Sequence, residues 1–153
     1  MRSTLVAALV ACLLPVAAPA QGSRLAYVGQ VSFASDAEAL GIGAGVNLHL
    51  GPLTDRLGVR LEATFDYFLV DDPATLWEIN AGLLRDFPRV KRAYVGAGLN
   101  MARTGPASSE VTDLGLNLLG GYKLGSGKAA PFVQARFSLG GGEQLVLTGG
   151  FRF

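Results

Sequence analysis

The feature that most constrains this chain is a strict alternation of apolar and polar residues over long segments. In residues 57–69, LGVRLEATFDYFL, the odd-numbered positions are apolar, while Gly, Arg, Glu, Thr and Asp occupy the even positions from 58 to 66. A helix with 3.6 residues per turn would spread those polar residues around its circumference, whereas a strand with a period of 2 places them on one face. The segment is predicted to be a long β-strand, and residues 40–50 repeat the pattern.

The same alternation continues through the chain after residue 24, and no segment there has the pattern of a helix. It predicts eight strands, at 25–34, 39–50, 57–69, 75–86, 91–102, 111–124, 129–140 and 144–153. The connections are short and rich in the Gly, Pro, Asp and Ser that turns use, so sequential strands are expected to form antiparallel hairpins. A meander has two exposed edges unless its first strand pairs with its last. The expected fold is all-β, an eight-stranded antiparallel up-and-down barrel.

Strand length and composition predict that this barrel spans a membrane. Ten residues tilted by about 40° project to roughly 25 Å, the height of the apolar band on transmembrane barrels. The predicted inward faces are rich in Gly and Asn, and only 16% of all residues are charged. Aromatic residues end the outward faces near both rims, namely Phe33, Tyr67, Trp77, Tyr122, Phe151 and Phe153. Because a soluble, lipocalin-like periplasmic barrel with an apolar lumen would show the same alternation, that alternative stays open.

The first 20 residues have the pattern of a cleaved secretory signal peptide. Arg2 precedes an apolar stretch that runs from Leu5 to Val16, and Ala18-Pro19-Ala20 supplies the small residues of a cleavage site. The predicted organisation is therefore a signal peptide over 1–20 and a barrel domain over 21–153.

Composition excludes several kinds of site from the chain that remains after the predicted signal peptide is removed, which we call the mature chain. The single cysteine, Cys12, lies in the predicted leader, so no thiol is left for a disulfide, a nucleophile or a thiolate metal site. Without Arg2, twelve basic residues face twelve acidic ones, and no basic stripe of the kind that binds nucleic acid is present. We predict no nucleic-acid partner, no cofactor and no metal.

The last predicted strand ends in a pattern with a known counterpart. Phe153 follows Phe151 by two residues, and Leu147 and Leu145 precede them on the same face. Together with the eight strands, this ending resembles the small outer-membrane barrels of the OmpX and OmpA type, although Gly149 stands where that pattern has a larger apolar residue. The resemblance implies an outer-membrane monomer in contact with lipid and lipopolysaccharide. It also implies that the four apolar residues are a C-terminal signal read by the outer-membrane assembly machinery.

Charged residues of both signs fall on the predicted inward faces. An eight-stranded lumen is normally filled by side chains, and buried charges are tolerated when they are paired. We therefore predict an ion network that plugs the barrel rather than a conducting channel. Its predicted members are Arg60, Glu62, Asp66, Glu78, Asp113, Lys123, Arg136 and Arg152.

The function predicted from these features is that of an integral outer-membrane protein with a structural or small loop-borne binding role. No catalytic residue is predicted, because His49, the sole histidine, falls at the opposite end of the barrel from the serines near the outer rim. A lipid-A-modifying barrel enzyme stays open as an alternative, with Glu62 and Glu78 as a conceivable acid and base. The outward connections form an acidic rim, which we hypothesise binds divalent cations shared with lipopolysaccharide phosphates; replacing Asp71 and Asp72 with Asn would test this. The acidic residues of this rim are Asp36, Glu38, Asp71, Asp72, Glu110 and Glu143.

Overall fold

The computed structural model describes residues 25–50, 58–70, 74–87, 89–90, 92–106, 109, 111–125, 127, 129–140 and 143–153. The predicted signal peptide lies outside them. Within this part of the chain no helix is long and apolar enough to cross a membrane. The described residues form eight strands: β1 (Leu25–Ala34), β2 (Ala39–His49), β3 (Val59–Leu69), β4 (Ala74–Asp86), β5 (Ala93–Pro106), β6 (Val111–Lys123), β7 (Ala130–Leu139) and β8 (Gln144–Arg152).

These strands close into an antiparallel barrel in the order β1 to β8, as the sequence predicts. Closure depends on β1 and β8, which pair from Val28↔Arg152 to Ala34↔Val146. The backbones of Tyr27 and Phe153 extend this pairing, with N–H to O=C distances of 3.1 and 2.9 Å. Neither β1 nor β8 therefore presents an open edge. We call the end that holds Leu25 and Phe153 the terminal end, and the opposite end the far end.

The largest difference from the predicted strand boundaries is in β5, which continues to Pro106 instead of stopping near residue 102. The residues Thr104, Gly105 and Pro106 have the composition of a turn, but they pair in register with the first residues of β4. Thr75 of β4 donates a side-chain hydrogen bond to the carbonyl oxygen of Gly105 at 3.1 Å. Pairing with the neighbouring strand thus outweighs the local turn preference.

The two faces of the barrel divide as predicted, with apolar residues outside. Leu40, Leu69, Leu99 and Leu114 are 57%, 61%, 63% and 75% exposed. Arg60, Asp66, Glu78 and Arg136, in contrast, point into the lumen and are at most 1% exposed. Apolar area in contact with water is unfavourable by about 25 cal/mol per Å², so an exterior of this kind requires lipid. The soluble alternative, which needs an apolar lumen, does not fit this structure.

The inside of the barrel also contains two apolar clusters. Alternation alone did not predict these clusters. At the far end, Ala34, Ala39, Phe68, Leu76 and Val146 form one cluster. At the terminal end, Leu84, Tyr94 and Leu119 form the other.

Two glycines face the buried aromatic rings of Phe68 and Tyr94 and leave space for them. A Cβ on Gly41 would lie 2.7 Å from Cδ1 of Phe68, and one on Gly121 would lie 2.8 Å from Cε2 of Tyr94. Both distances are too short for a side chain, so each glycine lets an aromatic ring approach the backbone of the lumen wall closely.

Candidate functional site

The middle of the lumen is organised around one buried guanidinium. Nη2 of Arg136 on β7 lies 2.6 Å from Oε2 of Glu78 on β4 and 3.5 Å from Oδ2 of Asp66 on β3. We call these three residues the central cluster. All three side chains are at most 1% exposed. One cation thus faces two carboxylates, which leaves this cluster with a formal charge of −1.

Neutral polar side chains complete the contacts of the central cluster. Oδ1 of Asp66 accepts hydrogen bonds from Nε2 of Gln30 at 2.8 Å and from Oγ of Ser32 at 3.0 Å. Ser32 donates its one hydroxyl proton to Asp66. Oγ1 of Thr148 lies 3.0 Å from Oγ of Ser32, so in this second hydrogen bond Thr148 donates and Ser32 accepts. With its amide oxygen facing Arg136, Asn80 accepts from Nη1 and Nη2 at 3.1 and 3.3 Å. Five strands therefore contribute to a single hydrogen-bonded network.

A second group of charges lies nearer the terminal end. Asp86, the last residue of β4, accepts from Nη1 of Arg60 through one carboxylate oxygen, and from Nζ of Lys123 through the other at 2.6 Å. Nη2 of Arg152 lies 3.5 Å from Oε2 of Glu62. We call these five residues the terminal cluster. Three cations against two carboxylates give it a formal charge of +1, opposite to that of the central cluster.

Tyr94 is the aromatic partner of the terminal cluster. The guanidinium carbon of Arg60 lies 4.6 Å from its ring centroid, and that of Arg152 lies 5.8 Å away. Arg152 also lies 5.3 Å from the ring of Phe132. The hydroxyl of Tyr94 donates to Oε1 of Gln134 at 3.0 Å. Cation–π contacts of this kind stabilise guanidinium groups that are withdrawn from water.

Little free space separates the two clusters. The cavity at mid-height has a volume of about 10 Å³ and is lined by residues that include Glu62, Asn80, Asn117 and Arg136. A volume of roughly 10–15 Å³ is what one water molecule needs. Side chains therefore fill the described lumen at this level.

Ion pairs join seven of the eight residues that the sequence places in the network, and the structure also changes its membership. Asp113 makes no ion pair with any described residue; it lies half-buried near the far end. Asp86, the last residue of a predicted strand and not a predicted member of the network, joins Arg60 and Lys123. Its even-numbered position, in phase with Glu78 on the same strand, was the signal that could have revealed its inward direction. The seven paired members are Arg60, Glu62, Asp66, Glu78, Lys123, Arg136 and Arg152.

His49 and Ser32 lie far apart, as predicted. His49 is exposed at the last position of β2, whereas Ser32 is buried and hydrogen-bonded to Asp66. Ser32 is paired in register with Gly41, eight residues before His49, which corresponds to about 26 Å along the strand. A nucleophile and its base must be in hydrogen-bond contact, so these two residues do not form such a pair.

The four residues of the predicted C-terminal signal share one face of the barrel. Leu145, Leu147, Phe151 and Phe153 are 39–54% exposed on the apolar exterior. The rings of Phe151 and Phe153 lie 6.4 Å apart between centroids. A Cβ on Gly149, between the two pairs, would meet no atom within 4 Å. The four side chains thus form an accessible apolar stripe at the β1–β8 closure.

The acidic rim proposed as a cation site is described only in part. Asp71, Asp72 and Glu110 lie outside the described residues, while Asp36, Glu38 and Glu143 are exposed. Among the residues that the structure describes, no three His, Cys, Asp or Glu side chains come together as metal ligands. The cation hypothesis stays a prediction.

Comparison with known proteins identifies the fold. No family model and no curated protein matches the chain. Among solved structures, Neisserial surface protein A (NspA) matches 84% of this chain and 92% of its own, with a TM-score of 0.60 and 16% identity. The N-terminal β-barrel domain of Pseudomonas aeruginosa OprF matches 87% of this chain and 100% of its own, with a TM-score of 0.57 and 19% identity.

A third match is to a designed protein, which has the same fold without sharing an ancestor with this chain. A de novo designed transmembrane β-barrel matches 87% of this chain and 97% of its own, with a TM-score of 0.55 and 11% identity. Because a designed sequence shares the architecture, the common features are the closed order of strands and the division of the two faces. The chain has the fold of the small eight-stranded outer-membrane barrels.

Proposed function

We propose that this protein is an integral outer-membrane barrel with a structural role, whose lumen is closed by the central and terminal clusters. The observation that carries the proposal is the combination of an apolar exterior with a lumen cross-linked by buried ion pairs. Lipid is the environment in which such an exterior is stable, and a closed barrel satisfies every backbone group there.

Closure of the lumen supports a structural role over conduction. A permeant ion would have to pass the central cluster, in which Arg136 contacts both Asp66 and Glu78. The mid-height cavity of about 10 Å³ holds no more than about one water molecule. Opening a path would break buried ion pairs, at a cost of about 3–5 kcal/mol for each pair that loses a partner.

The orientation follows from the predicted leader. A chain delivered from the inner membrane would keep its terminal end in the periplasm, and the far end would then face outward. In that orientation the apolar stripe of Leu145, Leu147, Phe151 and Phe153 is available to the outer-membrane assembly machinery from the periplasmic side. Its exposure on the last strand supports the proposed role as an assembly signal.

Gel mobility and planar-bilayer recording test the proposal together. The full gene product is expressed, purified from the outer-membrane fraction in detergent, and loaded on a gel either unheated or boiled. We expect a heat-dependent mobility shift and, in a planar bilayer, no stable conductance. A cooperative fold in buffer without detergent would refute the membrane assignment. Stable, reproducible channels would refute the closed lumen while leaving the membrane assignment intact.

Lipid analysis addresses the enzymatic alternative. Overproduction of a lipid-A-modifying enzyme would change the mass of lipid A extracted from the cells. We expect an unchanged mass spectrum, because Glu62 and Glu78 are both engaged with guanidinium groups in the lumen rather than placed on the lipid-facing surface. A new lipid A species that disappears when either glutamate is replaced by Gln would refute the structural role.

A further inference from the structure

The hairpin that joins β4 to β5 at the terminal end is rich in cations. Residues 85–92 read RDFPRVKR, in which four basic residues accompany a single acidic one. Arg85 is the next-to-last residue of β4, whereas Arg89 and Arg92 lie in the connection that follows. The side chains of all three arginines are exposed. We call these three residues the basic turn.

The one carboxylate of this segment faces away from the surface that carries the arginines. Successive residues of a strand point to opposite faces, so Arg85 lies on the exterior while Asp86 enters the lumen, where it pairs with Arg60 and Lys123. Three carboxylates are exposed among the described residues, and all belong to the far end: Asp36, Glu38 and Glu143. The exposed surface of the basic turn is therefore cationic.

Apolar side chains are interleaved with these cations. Phe87 and Val90 are 45% and 51% exposed. Arg85 is paired in register with Val95, which is exposed on the lipid-facing exterior. Long cationic side chains at such a boundary keep their aliphatic stem along the apolar surface and extend the charged group into the polar layer. The basic turn thus lies where the apolar band meets the lipid headgroups.

Backbone hydrogen bonds fix the turn at this boundary. The N–H of Phe87 donates to the carbonyl oxygen of Ala93, the first residue of β5, at 3.0 Å. The carbonyl oxygen of Arg92 accepts from the N–H of Lys123 on β6 at 2.8 Å. The cations are therefore held close to the end of the strands rather than carried away from the membrane on a long loop.

Charge and apolar character together indicate the partner. Basic residues are attracted to an anionic lipid surface within a Debye length, about 8 Å at physiological ionic strength. This attraction requires that the cations lie at the surface and not that they converge on one atom. The exposed Phe87 and Val90 favour lipid over a soluble acidic polymer such as peptidoglycan, because basic segments with interleaved apolar residues bury those residues at the boundary of the acyl chains.

We propose that the basic turn binds the headgroups of anionic phospholipids in the periplasmic leaflet. The inference rests on the membrane location and orientation proposed above, which place the terminal end at that leaflet. It goes beyond the structural role, because it gives the barrel a preference for one class of lipid. The ligand chemistry is a phosphodiester with a net negative charge and attached acyl chains, as in phosphatidylglycerol.

Native mass spectrometry tests this preference on the full gene product, purified in nonionic detergent and shown to be folded by its gel shift. Phosphatidylglycerol and phosphatidylcholine with identical acyl chains are titrated separately, and the dissociation constant of the first bound lipid is measured. We expect phosphatidylglycerol to bind at least about tenfold more tightly, since about 1 kcal/mol for each cation at an anionic lipid surface is roughly fivefold in affinity. Arg85→Gln/Arg89→Gln/Arg92→Gln should lose most of this preference. The matched variant Arg85→Lys/Arg89→Lys/Arg92→Lys keeps the charge and should retain it.

A single substitution and a soluble probe keep the test decisive. Arg89→Gln should weaken phosphatidylglycerol binding about fivefold, which provides a measurement even if the triple variant does not fold. A soluble muropeptide, which carries the acidic stem peptide of peptidoglycan, should bind much more weakly than phosphatidylglycerol.

The proposal is overturned by equal affinity for the two lipids, by an unchanged preference in the Gln variants, by equal loss in the Lys variant, or by tighter binding of the muropeptide. None of these outcomes would alter the gel shift or the bilayer recording. Failure of this inference is therefore distinguishable from failure of the proposed function.

Discussion

Replacing Arg136 with methionine removes the cation of the central cluster while it keeps most of the side-chain volume. The substitution leaves Glu78 and Asp66, at most 1% exposed, facing each other in the lumen without their shared partner. It also takes two donors away from the amide oxygen of Asn80. A variant of this kind therefore measures how strongly the network stabilises the barrel.

The expected loss in free energy of unfolding follows from the two ion-pair distances of Arg136. At an effective dielectric constant of about 20, contacts of 2.6 and 3.5 Å correspond to roughly 6 and 5 kcal/mol of gross attraction. The cost of withdrawing the three charges from water offsets much of this attraction. Loss of one partner from a buried pair typically lowers the free energy of unfolding by about 3–5 kcal/mol. We expect Arg136→Met to fall in the upper part of that range, because two carboxylates lose their cation.

Urea titration in vesicles of zwitterionic phosphatidylcholine provides the assay, with fluorescence of Trp77, the only tryptophan, as the probe. The compensated variant Arg136→Met/Glu78→Gln should recover most of the lost stability, because the remaining carboxylate, Asp66, keeps its bonds from Gln30 and Ser32. Arg89→Met, at an exposed position in the β4–β5 connection, is the matched control and should change the free energy of unfolding by less than about 0.5 kcal/mol. If Arg136→Met were as stable as this control, the lumen would not be held together by its ion pairs.

Other substitutions test the remaining parts of the structure. Gly98→Ala places a Cβ 2.6 Å from Cα of Gly82 and should lower the free energy of unfolding by about 1–3 kcal/mol. Gly149→Val, in open space on the lipid-facing surface, should not lower it, because the added methyl groups meet no protein atom and enter lipid; urea titration distinguishes the two variants. Asp86→Asn takes the carboxylate from two cations of the terminal cluster and should cost about 1–2 kcal/mol by the same titration, less than a fully buried pair because its side chain is 26% exposed. Phe153→Ala keeps the backbone pairing with β1 but removes a lipid-facing ring, so the purified barrel should stay folded with a loss of about 1.5–3 kcal/mol, while the fraction of protein that reaches the heat-modifiable form in cells should fall. Normal assembly of that last variant would argue against a C-terminal signal.

Strand positions and face assignments could be predicted because they depend on a local property, the period of 2. In β3, Arg60, Glu62 and Asp66 occupy even positions, and the structure places all three in the lumen. Phe68 continues the same phase and is fully buried although it is apolar. Hydrophobicity alone would have placed it in lipid, whereas the phase of its strand places it in the far-end apolar cluster.

Partner choice within the lumen could not be predicted in this way. Asp86 lies at the end of β4, where the sequence does not distinguish a connection from an inward-facing position, and its two cations are contributed by β3 and β6. Asp113 shares the inward phase of its strand, yet the cations of the lumen lie too low in the barrel to reach it. These outcomes depend on how the strands are staggered around the barrel, which the residue pattern of any one strand does not encode.

The sequence by itself therefore determined the number of strands, their antiparallel order and the direction of most side chains, because alternation and turn composition act within one strand or one hairpin. The register in which β1 closes on β8, the division of the lumen into two oppositely charged clusters and the cavity of about 270 Å³ at the far end were decided by the tertiary structure. The physical reason is that the register of the strands sets which residues lie at the same height in the barrel, and only those residues can meet across the lumen. Charges separated by tens of residues, such as Glu78 and Arg136, become partners only when closure brings β4 and β7 to opposite walls.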